Sequence, residues 1–206
     1  PKFTQIDWDA LYEANLVNKL TGDGAAVYMV EERRSDLFET TFNSTVDARL
    51  SKHMPLTAGI GARTTTSHQF KTVEDLLGAD YVLDIDKFAE RDFPSDLNKI
   101  QSDLNRPNRR VYEGGIFGYD FKLRINSLNA WLVNNYNTRH WDAYYGVKLT
   151  YTDFWRDGNM RNGQYPDNSY GAGRHHTFTD LAFKGGATYK FNGRHLLRAN
   201  LSYGSE

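Results

Sequence analysis

The stretch that decides the fold is 141–152, which reads WDAYYGVKLTYT. Its odd positions are apolar or aromatic throughout, namely Trp141, Ala143, Tyr145, Val147, Leu149 and Tyr151. Most of its even positions are polar, as in Asp142, Lys148 and Thr150. A strict period of two places alternate side chains on opposite faces of a β-strand. The stretch therefore predicts a long strand with one apolar and one polar face.

The same alternation predicts about six strands, arranged as three hairpins. Hairpin 1 spans 38–64, hairpin 2 spans 121–153 and hairpin 3 spans 177–204. In the descending arm of hairpin 2 the apolar positions change from odd to even near Asn126 and Ser127, which predicts a β-bulge. The predicted fold class is all-β, an antiparallel up-and-down transmembrane β-barrel segment with short turns on one side and long, partly helical loops on the other.

The connections between the predicted strands are unequal in length. The three turns are short, and each ends in a basic residue followed by His53, His140 or His195. The segments 1–37, 65–120 and 154–176 are long and are predicted to be extracellular loops. Short turns at one edge and long loops at the other are typical of outer-membrane barrels. A soluble barrel or sandwich more often has short connections at both ends.

Three stretches of the long loops carry helix signals. Asp7 is placed to cap a helix that ends at Gly22, with Trp8, Leu11, Tyr12 and Leu16 on one face. The segment 72–78 resembles a capping box. Ser95 is placed to cap a third short helix with Leu97, Ile100 and Leu104 facing inward.

Aromatic residues gather at the two ends of the predicted strands. The first group lies near the short turns and comprises Tyr136, Trp141, Tyr189 and Phe191. The second lies near the long loops and comprises Tyr151, Phe154, Trp155, Phe178 and Tyr203. Two aromatic bands around an aliphatic middle are typical of the girdles that mark a membrane interface. Aromatic residues also favour strands in general, which would explain the same distribution without a membrane.

Composition narrows the classes of function. The 206 residues include no cysteine, which excludes disulfide scaffolds, thiolate metal sites and a cysteine nucleophile. The formal net charge of -1 provides no general attraction to nucleic acid. A mean hydropathy of -0.67 argues against a membrane-spanning helix, but the strands of a membrane barrel are only half apolar.

Several segments resemble a known family, the TonB-dependent outer-membrane receptors in the form common among Bacteroidetes. The resemblance is carried by residues 75–78 (DLLG), 84–93 (DIDKFAERDF), 105–108 (NRPN), 112–120 (YEGGIFGYD) and 183–195 (FKGGATYKFNGRH). Such receptors hold a plug domain inside a barrel of 22 strands. The resemblance covers nearly the whole chain, as a middle slice of the barrel.

The resemblance implies location, activity and partners. It implies a transporter of the bacterial outer membrane that takes up a scarce nutrient of the iron-chelate, cobalamin or glycan class. The implied partners are its own plug domain, TonB of the inner-membrane energising complex and outer-membrane lipid, with a surface lipoprotein as a further candidate and no nucleic acid. About eight strands are needed to close a barrel, so this chain is predicted to be part of a longer protein.

The candidate ligand-binding residues lie in and beside the loop 154–176, where an external ligand would first be met. They are Trp155, Tyr165, Tyr170, Arg174, His175 and His176. Paired imidazoles can also bind a metal, although a pair packed within the loop is the simpler interpretation. Asp84, Asp86 and Glu90 are weak candidates for hard-cation ligands, because their spacing does not match a calcium loop.

Two other functions remain open at this point. One is a soluble β-barrel or sandwich that binds a hydrophobic ligand inside, and the other is an outer-membrane barrel enzyme. We expect no enzymatic activity, no catalytic residue and no cofactor, since no base and orienting partner accompany Ser51 and His53. The orientation of Trp141, Tyr145, Val147 and Leu149 separates the first alternative from the membrane barrel, because a soluble barrel requires these side chains to converge on an interior.

Overall fold

The computed structural model describes residues 5–205 of the chain, and the fold is mostly antiparallel β-sheet, with 59% strand and 10% helix. The chain divides into two compact units. Unit 1 contains residues up to Leu37, Thr66–Leu123 and Arg156–Arg174. Unit 2 contains Phe38–Thr65, Arg124–Trp155 and the residues from His175 onward. No helix among residues 5–205 is long and apolar enough to cross a membrane.

The principal sheet has the strand order β1-β2-β5-β6-β8-β9, with β7 paired to β6. Its strands are β1 (Val30–Ser51), β2 (Met54–Asp75), β5 (Ile116–Asn137), β6 (Trp141–Gly158), β7 (Gly171–Ala172), β8 (His176–Lys190) and β9 (Leu196–Gly204). Strands β3 (Val82–Leu83) and β4 (Arg110–Val111) form a small second sheet. The helices are α1 (Trp8–Thr21) and α2 (Lys87–Asp92). Within residues 5–205 the principal sheet is open, with β1 and β9 at its edges.

The three predicted hairpins are confirmed, but their strands are longer than predicted. β1, β2 and β5 each contain 22 residues and extend well into segments that the sequence assigned to loops. The residues of β2 beyond Thr64 are mostly polar, so they lack the alternation that identifies a strand. Backbone hydrogen bonding to a neighbouring strand needs no apolar face, and for that reason the pattern underestimated the strand length.

The register of unit 2 sorts the side chains onto two faces. Trp141 lies opposite Tyr189, which lies opposite Leu197. Val147 likewise lies opposite Phe183, and Phe183 lies opposite Tyr203. Residues directly opposite each other share a face, so these rows join into one continuous apolar face, which we call the apolar face of unit 2. Its members on β6, β8 and β9 are Trp141, Ala143, Tyr145, Val147, Leu149, Phe183, Leu181, Ala187, Tyr189, Leu197, Ala199, Leu201 and Tyr203.

The opposite face of unit 2 is polar. Asp142 lies opposite Thr188, and Thr188 lies opposite Arg198, whose Nε donates a 3.2 Å hydrogen bond to the Thr188 hydroxyl. Asp142 also forms an ion pair with Lys190. On the first hairpin, the Thr57 hydroxyl donates to Asp47 at 2.6 Å. These contacts link polar side chains of neighbouring strands across this face.

The exposure of side chains along β5 shows the predicted change of phase. Ile125 is exposed on the odd side, Asn126 and Ser127 are both half-buried, and Leu128 is exposed on the even side. One inserted residue moves all following side chains to the other face. The shift therefore keeps the apolar residues on both halves of the strand on the same face.

Two of the three short turns share a contact made by their histidine. The backbone of His53 exchanges a hydrogen bond with Asn137, whose N–H donates to His53 O at 3.0 Å, and the His53 ring lies 2.8 Å from Asn137 O. His140 repeats this arrangement with Lys190, at 2.8 Å for the backbone bond and 3.3 Å for the ring. Each of these turns is thereby tied to the foot of the next hairpin.

Unit 1 contains the hydrophobic core of the described chain. Its central cluster consists of Val73, Leu76, Val82, Val111 and Phe117. Among residues 5–205, every buried hydrophobic side chain belongs to this unit, whereas the buried side chains of unit 2 are the polar Thr65, Asn134 and Thr188. The usual arrangement of apolar core and polar surface therefore holds in unit 1 only.

Helix α1 forms where the sequence predicts it, but it uses a different face. Asp7 caps it by accepting from Ala10 N–H at 3.1 Å, and Gly22 ends it. Trp8, Tyr12 and Leu16 were expected to face inward and are instead about half exposed. The fully buried residue is Asn15, whose amide nitrogen donates to the carbonyl oxygens of Tyr28, Leu76 and Leu77, and whose oxygen accepts from the N–H groups of Val27 and Tyr28. The helix is thus held by a polar anchor.

The two other helix predictions are wrong. Residues 72–75 continue β2, and the chain turns at Leu77 and Gly78, both of which have positive φ. Residues after Ser95 form hydrogen-bonded turns without a helix. The short helix that does form, α2, begins after Asp86, whose carboxylate accepts from the N–H groups of Phe88 and Ala89.

Candidate functional site

The six predicted ligand-binding residues belong to two different units. Trp155, His175 and His176 lie in unit 2, and Tyr165, Tyr170 and Arg174 lie in unit 1.

In unit 2, His175 and His176 extend a row of rings at the start of β8. His175 stacks on Trp155 with a centroid distance of 4.3 Å, and its Nδ1 lies 3.0 Å from both carboxylate oxygens of Asp153. His176 stacks on Phe154 at 5.3 Å, and Phe154 lies parallel to Phe178 at 5.8 Å. These contacts place the two imidazoles against Phe154 and Trp155, which are consecutive residues of β6 and point to opposite faces.

In unit 1, Tyr165 lines a cleft of about 410 Å³, which we call the arginine cleft. It is lined by Ser102, Gly118, Tyr119, Asp120, Phe121, Arg156, Met160, Asn162, Tyr165, Asn168 and Ser169. The lining combines aromatic rings, side-chain amides and hydroxyls with one guanidinium. Such a mixture of apolar surface and a few placed polar groups is typical of a small-molecule site.

Arg156 is the chemically distinctive residue of this cleft. Its guanidinium lies 4.5 Å from the centroid of the Phe121 ring, and Nη1 donates to Ser169 O at 2.9 Å. Among residues 5–205 these are its hydrogen-bond and ring partners, and neither carries a formal negative charge. Burial lowers the pKa of Arg156 from its ordinary value, yet an arginine stays protonated in proteins. Arg156 therefore gives the cleft wall a positive charge, and most of the five N–H donors of its guanidinium can still donate to a ligand.

The segment 159–170, which forms one wall, is held by backbone contacts to the segment 98–104. Gly163 approaches so closely that a Cβ atom there would lie 1.9 Å from Asn98 O, which only glycine allows. Its N–H donates to Gln101 O at 2.9 Å. Arg161 N–H donates to the buried carboxylate of Asp103 at 3.1 Å. The wall is consequently positioned by the protein and can present Asn162, Tyr165 and Asn168 without a ligand.

Asp120 lies at the side of the arginine cleft, and its charge is already engaged. Its Oδ1 is 2.6 Å from His68 Nε2 and accepts from Asn159 Nδ2 at 2.8 Å. The His68 ring stacks on Phe70 at 4.3 Å. This carboxylate is therefore a fixed part of the wall.

A second cleft of about 350 Å³ shares Ser102, Gly118, Tyr119 and Asn162 with the arginine cleft, and we call it the lysine cleft. Lys71 lies in it 4.6 Å from the centroid of Phe117 and donates to Glu31 at 3.0 Å. Burial acts to raise the pKa of Glu31, but hydrogen bonds from Arg33 and Lys71 outweigh it and hold the pKa below its ordinary value. The two clefts thus meet at Tyr119.

Tyr170 and Arg174 are exposed and are not among the residues that line either cleft. Sequence reasoning identified Tyr165 but missed Arg156, Tyr119, Phe121, Asn162 and Asn168. Arg156 directly follows Trp155 in the sequence, and Asn162 precedes a glycine, a pair that is typical of a turn. Their grouping depends on loop contacts that no local pattern encodes.

The three weak metal candidates have separate partners. Asp84 is buried and accepts from Arg109 Nη2 at 2.5 Å and from Gly118 N–H at 2.7 Å. Asp86 caps α2 and accepts from Gln164, and Glu90 forms an ion pair with Lys87. Among residues 5–205 there is no group of three or more His, Asp or Glu side chains able to hold a metal ion.

Comparison with known proteins leaves the family open. No protein-family model matches the chain, and no curated protein or solved structure matches it significantly.

Proposed function

We propose that this chain is part of a TonB-dependent transporter of the bacterial outer membrane, in which the strands of unit 2 cross the bilayer and the loops of unit 1 meet the nutrient outside the cell. In this proposal the chain is a segment of a larger plugged barrel. Its partners are the plug domain, TonB and outer-membrane lipid, and a surface lipoprotein is a further candidate.

The observation that carries the proposal is the exposure of the apolar face of unit 2. Trp141, Tyr145 and Leu149 are 45%, 46% and 49% exposed, and Leu201 is 67% exposed. A soluble protein rarely exposes a continuous apolar surface of this extent. A lipid environment would make the same surface favourable, because the outward face of a membrane barrel is apolar and its lumen is polar.

The aromatic residues beside the short turns of unit 2 support the same proposal. Trp141 packs on Tyr189 at 4.8 Å, and Tyr189 meets Phe191 edge to face at 4.8 Å beside the short turns. Phe154 and Phe178, predicted for the second group, lie on the polar face instead, because the register places Phe178 opposite Thr152 and Phe154 has the same parity on β6 as Lys148. Tyr203 does not belong to the second group either, because its register places it opposite Phe183 in the middle of the sheet. The group beside the short turns resembles an interfacial girdle, and at the other end of β6 the apolar face carries Tyr151.

The alternative of a soluble barrel with an internal hydrophobic ligand has less support. An apolar concavity of unit 2 measures about 540 Å³ and is lined by Val46, Ile60, Leu132, Val147, Leu149 and their neighbours. These residues belong to the exposed apolar face, so the concavity is an open groove. The absence of enzymatic activity and of a cofactor stays a prediction.

The proposal is tested by placing single cysteines on opposite faces of one strand in the full-length protein, in native outer membrane. This chain contributes no other thiol, because it has no cysteine. A nitroxide at Leu149→Cys should be accessible to oxygen, which concentrates in lipid, and protected from a water-soluble nickel chelate. The matched label at Lys148→Cys should show the reverse preference. Equal accessibility of both positions to the nickel chelate would overturn the proposal.

Transport is tested separately by growth. A strain that lacks the gene should lose growth on one nutrient among iron chelates, cobalamin and glycans, and the wild-type gene should restore it. Undiminished growth of the deletion strain on every member of all three classes, each supplied as the limiting source, would contradict a role in uptake.

A further inference from the structure

We propose that the arginine cleft and the lysine cleft form one groove that binds an acidic oligosaccharide, with Arg156 holding the carboxylate of a uronic acid unit. The inference rests on the proposed function, because it takes this groove to face the side from which the nutrient arrives. It narrows the nutrient to one class.

The first step of the argument is the uncompensated charge of Arg156. The carboxylates that line the two clefts already have partners: Asp120 is held by His68 and Asn159, Glu31 by Lys71 and Arg33, and Asp86 by the start of α2. Arg156 instead lies over the Phe121 ring and donates to the carbonyl oxygen of Ser169, and both of these partners are uncharged. A guanidinium offers two parallel N–H groups that match a carboxylate. The groove therefore lacks one negative charge, at a position suited to a carboxylate.

The second step concerns the neutral part of the ligand. Tyr119 stands where the two clefts meet, and Tyr165 is 63% exposed in the arginine cleft. The electron-rich face of an aromatic ring attracts the C–H edges of a flat sugar ring. Asn162 and Asn168 add amide groups that donate and accept hydrogen bonds, as sugar hydroxyls also do. Aromatic rings with amides suit a hydroxylated ring better than an alkyl chain.

The third step concerns length. The arginine cleft and the lysine cleft measure about 410 and 350 Å³ and share four lining residues, so a ligand can occupy both. Each volume lies within the range of about 300–1,000 Å³ that small-molecule sites occupy. Lys71 and Lys87 line the second cleft. Both lysines are already paired with glutamates, Lys71 with Glu31 and Lys87 with Glu90, so Arg156 remains the carboxylate site. The length of the two clefts favours a linked chain of sugar units over a single small anion.

Binding is measured by calorimetry on the purified full-length protein in detergent. The probes are the trisaccharides of galacturonate, glucuronate and mannuronate, each compared with its own methyl ester, which keeps the rings and removes the charge. At least one acid should bind about tenfold or more tightly than its ester. Arg156→Gln should weaken binding of that acid by about 10- to 100-fold, as expected for a lost charge-assisted hydrogen bond, and leave the ester unchanged.

Two further variants and two competitors complete the test. Arg156→Lys keeps the charge without the fork and should lose less than Arg156→Gln. Arg110→Gln, at an exposed position of β4 outside both clefts, is the matched control and should bind as the wild type does. Citrate and inorganic phosphate, at constant ionic strength, should compete weakly. Circular dichroism of each variant checks that it is folded.

The inference is overturned if no acidic trisaccharide binds below about 1 mM, if acid and ester bind equally, or if Arg156→Gln binds as the wild type does. Competition by citrate or phosphate as strong as by the trisaccharide would overturn the sugar assignment. None of these binding results depends on the orientation of Leu149 and Lys148 in the membrane. The labelling experiment therefore separates a failure of this inference from a failure of the proposed function.

Discussion

The buried ion pair between Asp84 and Arg109 provides the most direct test of how unit 1 is held together. The side chain of Asp84 is 1% exposed and that of Arg109 is 20% exposed. Asp84 Oδ2 accepts from Arg109 Nη2 at 2.5 Å and from Nε at 3.2 Å, and Oδ1 accepts from Gly118 N–H at 2.7 Å. Gly118 has a φ of 73°, a conformation that glycine adopts without strain. The carboxylate thus joins β3, β4 and the start of β5.

We expect Asp84→Asn to destabilise this region by about 2–4 kcal/mol. Removing one partner of a buried ion pair costs about 3–5 kcal/mol, since the other charge remains buried without compensation. Arg109 is one-fifth exposed and keeps its hydrogen bond to Ile116 O, so water and that carbonyl recover part of the cost. The amide that replaces the carboxylate has a similar volume, which keeps cavity effects small.

The measurement is hydrogen exchange of the full-length protein in detergent, followed at the backbone amides of Gly118 and its neighbours. A loss of 2–4 kcal/mol corresponds to exchange that is about 30- to 1,000-fold faster. Glu90→Gln is the matched control, an acid-to-amide change in an exposed pair with Lys87 that should accelerate exchange less than about threefold. Equal effects of the two substitutions would refute the reasoning, and so would equal acceleration in β8 and β9, because the effect would then not be local.

Three other perturbations have distinct expected outcomes. Asn15→Asp places a carboxylate against the three carbonyl oxygens to which the Asn15 amide now donates. This substitution should release α1 from unit 1 at a cost of several kcal/mol, detected as faster proteolysis within residues 8–21. Unchanged proteolysis would contradict the anchor role of Asn15. Leu149→Arg on the apolar face should cost about 2–4 kcal/mol in a bilayer and lower the level of the protein in the outer membrane. Thr150→Arg on the polar face should leave this level unchanged. Equal outer-membrane levels of the two variants would argue against lipid contact. The pKa of Glu31 is lowered in the folded state, so the ionised carboxylate contributes its full stabilisation of the fold above the ordinary pKa of 4.5. This stabilisation is lost as the pH falls through the lowered pKa of the folded state. The stability difference between wild type and Glu31→Gln, measured by urea unfolding, should therefore shrink in acid, and a difference that grows there would contradict this sign.

The sequence by itself determined the sheet. Alternation with period two located three hairpins, the change of phase in β5 and the turns that end in histidine, because each of these depends on residues close together in the chain. It also determined which side chains share the apolar face, because the alternation along each strand assigns its residues to one face or the other. The start of α1 was predictable for the same reason, because Asp7 caps the N–H groups of the residues that follow it.

Only the tertiary structure decided which side chains are buried and which are exposed. It showed that the apolar face of unit 2 is exposed, while the described hydrophobic core belongs to segments that the sequence assigned to loops. Asn15, a polar residue on a helix with apolar neighbours, became the buried anchor because carbonyl groups distant in sequence converge on it. The arginine cleft joins residues from three separate segments, including Tyr119, Arg156 and Asn168. Local patterns report the periodicity of one segment, whereas a site of this kind depends on long-range contacts between segments whose own sequences look like ordinary turns.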